Sequence, residues 1–254
     1  MCGFRTRKFD FEYTESNISS TVLWENHCHA RFELIAVLEG DITVTLEGRE
    51  YRLTEGQTTI IPPLSYHAIT SNKEGAYRRI TVLFELAAIP SVLRARFLKG
   101  NESIAISSSL EAGELKKICE KEDPSFYAPL ADSLMIRLLY DNAEAREAHS
   151  TTGTDPFVQK AILYIDEHLR EKISLDDLAR HMSRSKSSFC HLFEEKMKIS
   201  PKQYILQKKL AIADKLIGEG AAPSAAAMQV GYDNYSNFYR IYKRHFGVGP
   251  TKTK

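Results

Sequence analysis

Residues 188–201, SFCHLFEEKMKISP, and residues 237–250, NFYRIYKRHFGVGP, superimpose without a gap at an offset of 49. Phe189 corresponds to Phe238, Leu192 to Ile241, Phe193 to Tyr242, Met197 to Phe246, Ile199 to Val248 and Pro201 to Pro250, while the residues between them differ. Within each copy the apolar residues of the helix fall at i, i+3, i+4 and i+8, which is one stripe of an α-helix and leaves the other positions facing outward. A shared apolar frame with two unlike outward faces implies a duplicated unit presenting two distinct surfaces. An accidental repeat within a plain helical bundle has to reproduce both the pattern and the spacing.

A shorter helix and a tight turn precede each copy. Ser174 and Asp177 have the spacing of a capping box, with Ser174 accepting from an orphan backbone N–H and the Asp177 carboxylate reaching back, which predicts a helix from Leu175 to His181. A turn at Met182 to Arg184 follows. In the second copy Pro223 suits a first helical turn, Ala225 to Gln229 continue it, and Gly231 supplies the turn. A helix-turn-helix is therefore expected twice. Ala179 and Phe189 are ten residues apart and Ala227 and Phe238 eleven, so the two turns differ by one residue.

Between the copies, Ser200 and Pro201 read as the N-cap and first residue of a connecting helix with no internal Gly or Pro before Gly218. Its apolar residues form two stripes, Ile205, Ile212 and Leu216 on one and Leu206, Leu210, Ala213 and Ile217 on the other, as a strut between two small bundles requires. At ~1.5 Å per residue a strut ending at Ile217 spans about 26 Å, enough to hold two helices near the ~34 Å repeat of the major groove.

These segments resemble the DNA-binding domain of the AraC/XylS family of bacterial transcription regulators. The resemblance covers residues 157–250 and is carried by SLDDLARHMSRSKSSFCHLFEEKMKISPKQYI, the connector and VGYDNYSNFYRIYKRHFGVGP. It departs at Pro223 and Ala226, where the family usually has bulky aliphatics, and at Thr253-Lys254, where a Tyr-Arg pair is common. The resemblance implies double-stranded DNA and RNA polymerase as partners, a homodimer, and activation as the commoner outcome.

Charge is distributed accordingly. From Asp155 to Lys254 there are 17 Lys and Arg against 11 Asp and Glu, a balance of +6, while the rest of the chain holds 17 against 22, a balance of −5. Lys186, Lys243 and Arg244 flank the duplicated faces and are candidates for phosphate contacts, which give affinity and salt dependence without sequence choice. The outward residues in the first turns are candidates for base contacts: Ser187, Cys190 and His191 in the first helix, and Tyr235, Ser236, Asn237 and Arg240 in the second. Arg240 is the strongest, because arginine pairs with both acceptors of a guanine edge, and Asn237 can do the same for adenine. Ser187 and Cys190 have an alternative reading as small residues that allow close approach.

The N-terminal part has a different pattern. Residues 32–38, 41–46, 50–53, 58–61 and 79–84 are short β-branched and aromatic runs separated by Gly40, Gly48, Gly56, Pro62-Pro63 and Gly75. An all-β barrel or sandwich is expected, and such a barrel can enclose one small ligand. His27, His29 and Glu33 share parity, so on one extended strand they face the same way, and His67 can meet them from a neighbouring strand. Three imidazoles and a carboxylate form a cage for a divalent metal such as Zn, Fe, Mn or Ni.

The order His27, His29, Glu33, Gly40, then Gly56, Pro62 and His67, resembles the cupin signature. Leu64 stands in place of a usual Gly, Ser71 of a usual Asn, and Thr21 of the Gly six residues before the first His. The resemblance implies a sensing barrel that takes an organic small-molecule effector. Trp24 and Tyr66 are candidates for its wall together with the four ligand-type residues. The alternatives are that the four line a polar pocket without metal and that the two aromatics are ordinary core. No cofactor is required for the DNA-binding role.

Residues 91–148 read as helical, with a break at Asp123-Pro124, and Leu130, Leu134, Ile136, Leu138, Leu139 and Tyr140 make the second segment apolar on more than one side. It either covers one barrel face or also meets a partner chain, as the family's dimerisation helix does. His149 to Thr154 is a polar linker.

The expected architecture is α+β multidomain: an N-terminal cupin-like β-barrel (1–90), a helical linker and dimerisation segment (91–148), a flexible linker (149–154), and a C-terminal all-α domain with two helix-turn-helix motifs (155–254). At 254 residues and 43% hydrophobic content each part has enough core to fold. Cys2, Cys28, Cys119 and Cys190 show no paired spacing, and no apolar stretch reaches the ~18 residues of a membrane span, so a cytoplasmic protein is expected. The leading expectation is a ligand-responsive transcription regulator that is not an enzyme. The rival is a metal-dependent cupin enzyme, an isomerase or dioxygenase, with a C-terminal helical domain.

Overall fold

The computed structural model describes residues 2–18, 22–98, 104–145 and 155–251, with the backbone alone at 22–26. The chain forms two compact units, and the expected linker at 149–154 lies outside the described residues.

The first unit is built on ten strands: β1 (Cys2–Arg5), β2 (Phe9–Ile18), β3 (Val22–His27), β4 (Phe32–Glu39), β5 (Asp41–Leu46), β6 (Arg49–Thr54), β7 (Gln57–Ile61), β8 (His67–Ser71), β9 (Gly75–Phe84) and β10 (Ile106–Ser108). They make a six-stranded sheet in the order β1-β2-β9-β4-β7-β10 and a four-stranded sheet in the order β3-β8-β5-β6. Alternation sorts each strand of the large sheet. On β4, Ile35 and Val37 face the small sheet and pack with its Ile42, Val44, Leu53 and Ile69, while Leu34 and Ala36 face away from it.

The outer face of the large sheet is closed by helices α1 (Ser91–Phe97), α2 (Glu111–Cys119) and α3 (Ala128–Glu144). Phe9, Phe11, Phe32, Ile80, Val82 and Phe84 from the strands form one core with Leu93, Leu115, Ile118, Met135, Leu138 and Leu139 from the helices. The helical segment thus covers a sheet face, and Leu130 and Tyr140 on α3 remain 51% and 39% exposed. It is interrupted by β10, which pairs with β7 and carries the sheet beyond residue 90, where the barrel was expected to end. Leu110 is the N-cap residue of α2 and is exposed.

Four backbone positions explain the turns. Glu47 and Gly48 both have positive φ, 47° and 78°, as the two-residue β5–β6 hairpin needs. Gly40 has φ 119°, and a Cβ there would lie 3.0 Å from the Tyr77 ring. Leu64, the residue standing where the cupin signature has glycine, keeps the left-handed conformation at φ 61°. A side chain in that region costs about 1–2 kcal/mol, so Leu64→Gly is expected to stabilise the barrel by ~0.5–1 kcal/mol after the glycine entropy term. A lower urea midpoint for the variant would mean that packing of the half-buried Leu64 side chain outweighs the strain.

The second unit contains α4 (Pro156–Glu167), α5 (Leu175–His181), α6 (Lys186–Met197), α7 (Pro201–Gly218), α8 (Pro223–Gln229) and α9 (Tyr235–Phe246). The sequence signals account for its helix ends. Asp155, Ser174, Ser185, Ser200 and Asn234 each accept a first-turn N–H as N-caps, and Pro156, Pro201 and Pro223 start helices where no N–H is needed. Only the first half of the expected capping box forms. Ser174 accepts from Asp176 and Asp177 as anticipated, but the Asp177 carboxylate accepts from Arg180 one turn on, at 2.6 Å.

Candidate nucleic-acid interface and effector barrel

The two copies of the repeat are α6 and α9, each the second helix of a helix-turn-helix. Phe189, Phe193, Met197 and Ile199 are buried in the first helix-turn-helix, Phe238 and Tyr242 in the second. The frame differs most at one point. Val248 is 64% exposed although its counterpart Ile199 is 7% exposed, because the second copy has no following helix to cover it among the described residues. The turns differ as counted: residues 182–185 separate α5 from α6 and residues 230–234 separate α8 from α9. Ser183 at φ 54° and Gly231 at φ 76° reverse the chain.

The strut α7 runs one residue beyond Ile217, and its stripes sort otherwise than expected. Ile212 and Leu216 pack together with Leu206, Leu210, Ala213 and Ile217 on the second bundle, against Ala226, Ala227, Val230 and Phe238. The face toward the first bundle is made by Tyr204, whose ring meets Phe193 at 5.5 Å, and by Lys208, which is 1% exposed, bonds Asp166 at 2.7 Å and lies 5.0 Å from the Tyr204 ring centroid. A lysine stem is apolar enough to pack when its ammonium finds partners, which a pattern of apolar letters does not register. Lys209 is buried as well and donates to the carbonyls of Glu171 in the first bundle and Val230 in the second, at 2.5 and 2.7 Å. Burial pushes its pKa down. Across the second bundle the Tyr242 hydroxyl donates to Asp214 of α7, and burial and that carboxylate push its pKa up.

The expected reading residues lie on the outer faces. Ser187 and His191 are exposed and Cys190 is half-buried on α6; Tyr235, Ser236, Asn237 and Arg240 are exposed on α9. Arg240 Nη2 donates to Asn237 Oδ1 at 3.0 Å, while the Asn237 backbone N–H is held by the Asn234 cap at 2.9 Å. The two strongest candidates are thus a pre-formed pair one turn apart. Lys243 and Arg244 are exposed in the last turn of α9. Lys186 is exposed too, but its ammonium is 2.9 Å from Asp176, so a phosphate contact there competes with a surface ion pair.

In the barrel the four metal-type residues converge. One ligand atom from each of His27, His29, Glu33 and His67 lies within 4.8 Å of the others. They do so by a different route from the one expected. His27 ends β3, Glu33 lies on β4 and His29 sits in the bend between them, so shared parity on a single strand does not apply. Glu33 and His67 are buried; His67 Nδ1 donates to the Ser65 carbonyl at 2.9 Å and Nε2 faces Glu33 Oε2 at 3.1 Å. Burial opposes the charge on His67, and the Glu33 and Ser65 oxygens outweigh it and raise the pKa. Two atoms bound to one ion at ~2.1 Å stand at most about 4.2 Å apart, so ligation needs only a small rotamer adjustment. The Ser65 contact holds Nδ1 as the protonated nitrogen and leaves Nε2 toward the cluster, the orientation a ligand imidazole requires. Tyr66 is 3% exposed beside them in the chain; the Trp24 side chain lies outside the described residues.

A β-barrel enclosing polar groups and a unit presenting two unlike recognition helices define a ligand-responsive DNA-binding regulator. The profile of the AraC-like ligand binding domain matches residues 9–155, more than half of the chain, and that of a helix-turn-helix domain matches residues 178–254. The chain belongs to the AraC family of transcription regulators. It is 22% identical over 245 residues to the uncharacterized HTH-type transcriptional regulator YdiP of Escherichia coli, covering 90% of this chain and 80% of that one. The HTH-type transcriptional regulator ExsA of Pseudomonas aeruginosa is 23% identical over 256 residues, covering 96% and 82%. A shorter match, 38% identical over 90 residues, links it to the probable transcriptional regulator LumQ of Photobacterium leiognathi and spans 36% of LumQ. Among solved structures, unsaturated fatty acid bound ToxT of Vibrio cholerae aligns with a TM-score of 0.45 and 11% identity over 96% of this chain and 94% of that one.

These relatives are transcription regulators, and the rival reading of a cupin enzyme falls with them: the protein is a DNA-binding transcription regulator with a small-molecule-binding domain and not an enzyme. Among the described residues no helix is long and apolar enough to cross a membrane.

Proposed function

We propose that the regulator reads one asymmetric DNA site through α6 and α9 together, with Arg240 and Asn237 contacting base edges and Lys243 and Arg244 the phosphates. Tyr235, Ser236, Ser187, Cys190 and His191 complete the two faces, and Lys186 joins the phosphate contacts once Asp176 releases it. The observation that carries this reading is the Arg240–Asn237 pair, exposed and fixed by the Asn234 cap at the start of α9. A bidentate arginine contributes about 1–3 kcal/mol of discrimination at its base pair. Arg240→Ala is therefore expected to lower preference at one position about 5- to 150-fold while general affinity and its salt slope change little. Binding selections from the source genome, read at several salt concentrations, measure both. A uniform loss over all sequences would assign Arg240 to a phosphate.

The barrel binds the effector, and the effector biases the DNA-binding unit only as far as it favours one conformation over another. The domain limits that fit this are a barrel over 1–90 extended by β10, a helical segment to 148, a linker at 149–154 and the DNA-binding unit from 155. The exposed Leu130 and Tyr140 of α3 support a second copy of the chain as the partner of that helix. Activation, contact with RNA polymerase and a cytoplasmic location follow by kinship with the family.

His27, His29, Glu33 and His67 support a second ligand, a divalent cation such as Zn, Fe, Mn or Ni, because four donors of the right type converge and His67 is oriented for it. Elemental analysis of protein purified without chelator is expected to find about one metal per chain. Protein that carries none and takes up none on titration leaves the cluster as a polar lining of the effector pocket.

A further inference from the structure

The cysteines have no paired spacing along the chain, yet two of them meet in the first unit. Cys2, at the start of β1, places its Sγ 2.6 Å from the backbone carbonyl oxygen of Cys119, which is 117 residues away and ends α2. α2 packs on β1 and β2. The Cys119 side chain is buried in the core of the helical layer, and the half-buried Cys2 packs against that same core. Both thiols are free. The Cys119 thiol is pushed up to about 12, first by burial and then by its closeness to Cys2 and Glu120. A carbonyl oxygen stands ~2.4 Å from the Cα of its own residue, so Cys2 Sγ lies within about 5 Å of the Cys119 Cα.

A thiol is a weak donor, and closing the end of a helix needs only a hydroxyl. A pair of thiols can also do what a hydroxyl cannot. β1 is four residues long, stands first in the order of its sheet and pairs with β2 alone. A short edge strand of this kind is the part of a sheet that opens most readily. A covalent bond at its first residue would hold it to the helical layer, and the sulfurs come within bonding distance by χ1 rotation with a small shift of that strand.

We propose that Cys2 and Cys119 are a reversible oxidation site, closed by hydrogen peroxide to an intramolecular disulfide that fastens the edge strand β1 to the end of α2. The half-buried Cys2 meets the oxidant first. Its sulfur attacks one oxygen of the peroxide, the O–O bond breaks, and Cys2 becomes a sulfenic acid as the first water leaves. The Cys119 sulfur then attacks the Cys2 sulfur, the S–O bond breaks, and the departing hydroxide takes the Cys119 proton as the second water. Two thiols and one peroxide thus give one disulfide and two waters. Conversion of Cys2 to a neutral sulfenic acid also removes one of the charges that keep the Cys119 thiol protonated. The site is independent of the effector and of the histidine cluster.

In the test the full chain, reduced and dilute, is treated with a small excess of hydrogen peroxide, alkylated and digested without reductant. The peptide holding Cys2 is expected to be joined to the peptide holding Cys119, lighter by two hydrogens than the separate pair, and dithiothreitol should part them. The linked chain should unfold about 5–10 °C above the reduced chain, because the bond closes a loop spanning 117 residues. Cys2→Ser keeps a donor for the Cys119 carbonyl, so it should unfold with the reduced wild type and lose both the link and the peroxide effect. In Cys119→Ala the first step stands alone, and dimedone should trap Cys2 as its sulfenic acid. Oxidation of Cys2 to a sulfinic acid without a link, a link between two chains or to another cysteine, or an unchanged midpoint in the linked protein each overturns the proposal. Failure of dimedone to label Cys2 in Cys119→Ala overturns it as well, by denying Cys2 the first step.

Discussion

Lys209→Met is expected to separate the two recognition helices functionally. The Lys209 ammonium is buried and donates to one carbonyl from each bundle, Glu171 and Val230. Methionine reproduces the length of the stem and supplies no donor, so the buried Val230 carbonyl and the part-buried Glu171 carbonyl lose their partner at once. At about 1–3 kcal/mol for each orphaned group, the second unit should lose ~2–5 kcal/mol. The consequence for DNA binding is more specific than the loss of stability. A site contacted by α6 and α9 together is bound tightly only while the spacing between the helices is fixed, so its affinity should fall at least tenfold, with contact to either half-site alone preserved. Lys209→Arg keeps the charge and several donors and should restore part of the coupling. Equal losses on the full site and on each half-site would mean that Lys209 acts on folding alone.

Gly231→Ala should act on the same junction from the other side. Gly231 has φ 76°, and a Cβ there would stand 2.8 Å from the Glu171 carbonyl oxygen and 3.0 Å from Lys209 Nζ. The left-handed conformation alone costs an alanine about 1–2 kcal/mol, and displacement of a backbone carbonyl and its buried donor brings the expected total to ~3–4 kcal/mol. Gly247 provides the control. It has nearly the same φ, 75°, but nothing within 4 Å of its missing Cβ, so Gly247→Ala should show the conformational cost by itself. If the two variants unfold at the same urea concentration, the close approach at Gly231 does not constrain the junction.

Much of the DNA-binding unit was legible in the sequence because its signals are local. Caps, first-turn prolines and an i, i+3, i+4, i+8 stripe depend on residues within one or two turns, and α5, α6, α7 and α9 begin where Ser174, Ser185, Ser200 and Asn234 stand. The barrel was legible in part. The runs of β4 to β7 and β9 were strong enough to read, whereas β10 is three residues long and exists through its pairing with β7. The alternation of Phe9, Phe11 and Tyr13 on β2 was present and unread. The metal-type cluster was found for a reason that does not hold: the residue types were right, but a bend, not strand parity, brings them together.

By itself the sequence determined that two like frames carry unlike outer faces, where the helices begin and end, and that the N-terminal half is β-rich, since each rests on spacing along the chain. Only the tertiary structure decided what becomes of cations in apolar surroundings. Lys208 and Lys209 look like the solvated face of a strut and Arg79 like the exposed start of a strand, yet all three are buried. Whether a charge can leave water depends on acceptors supplied by segments distant in the chain, such as Asp166, Glu171 and Val230 for the lysines, and no local pattern records them.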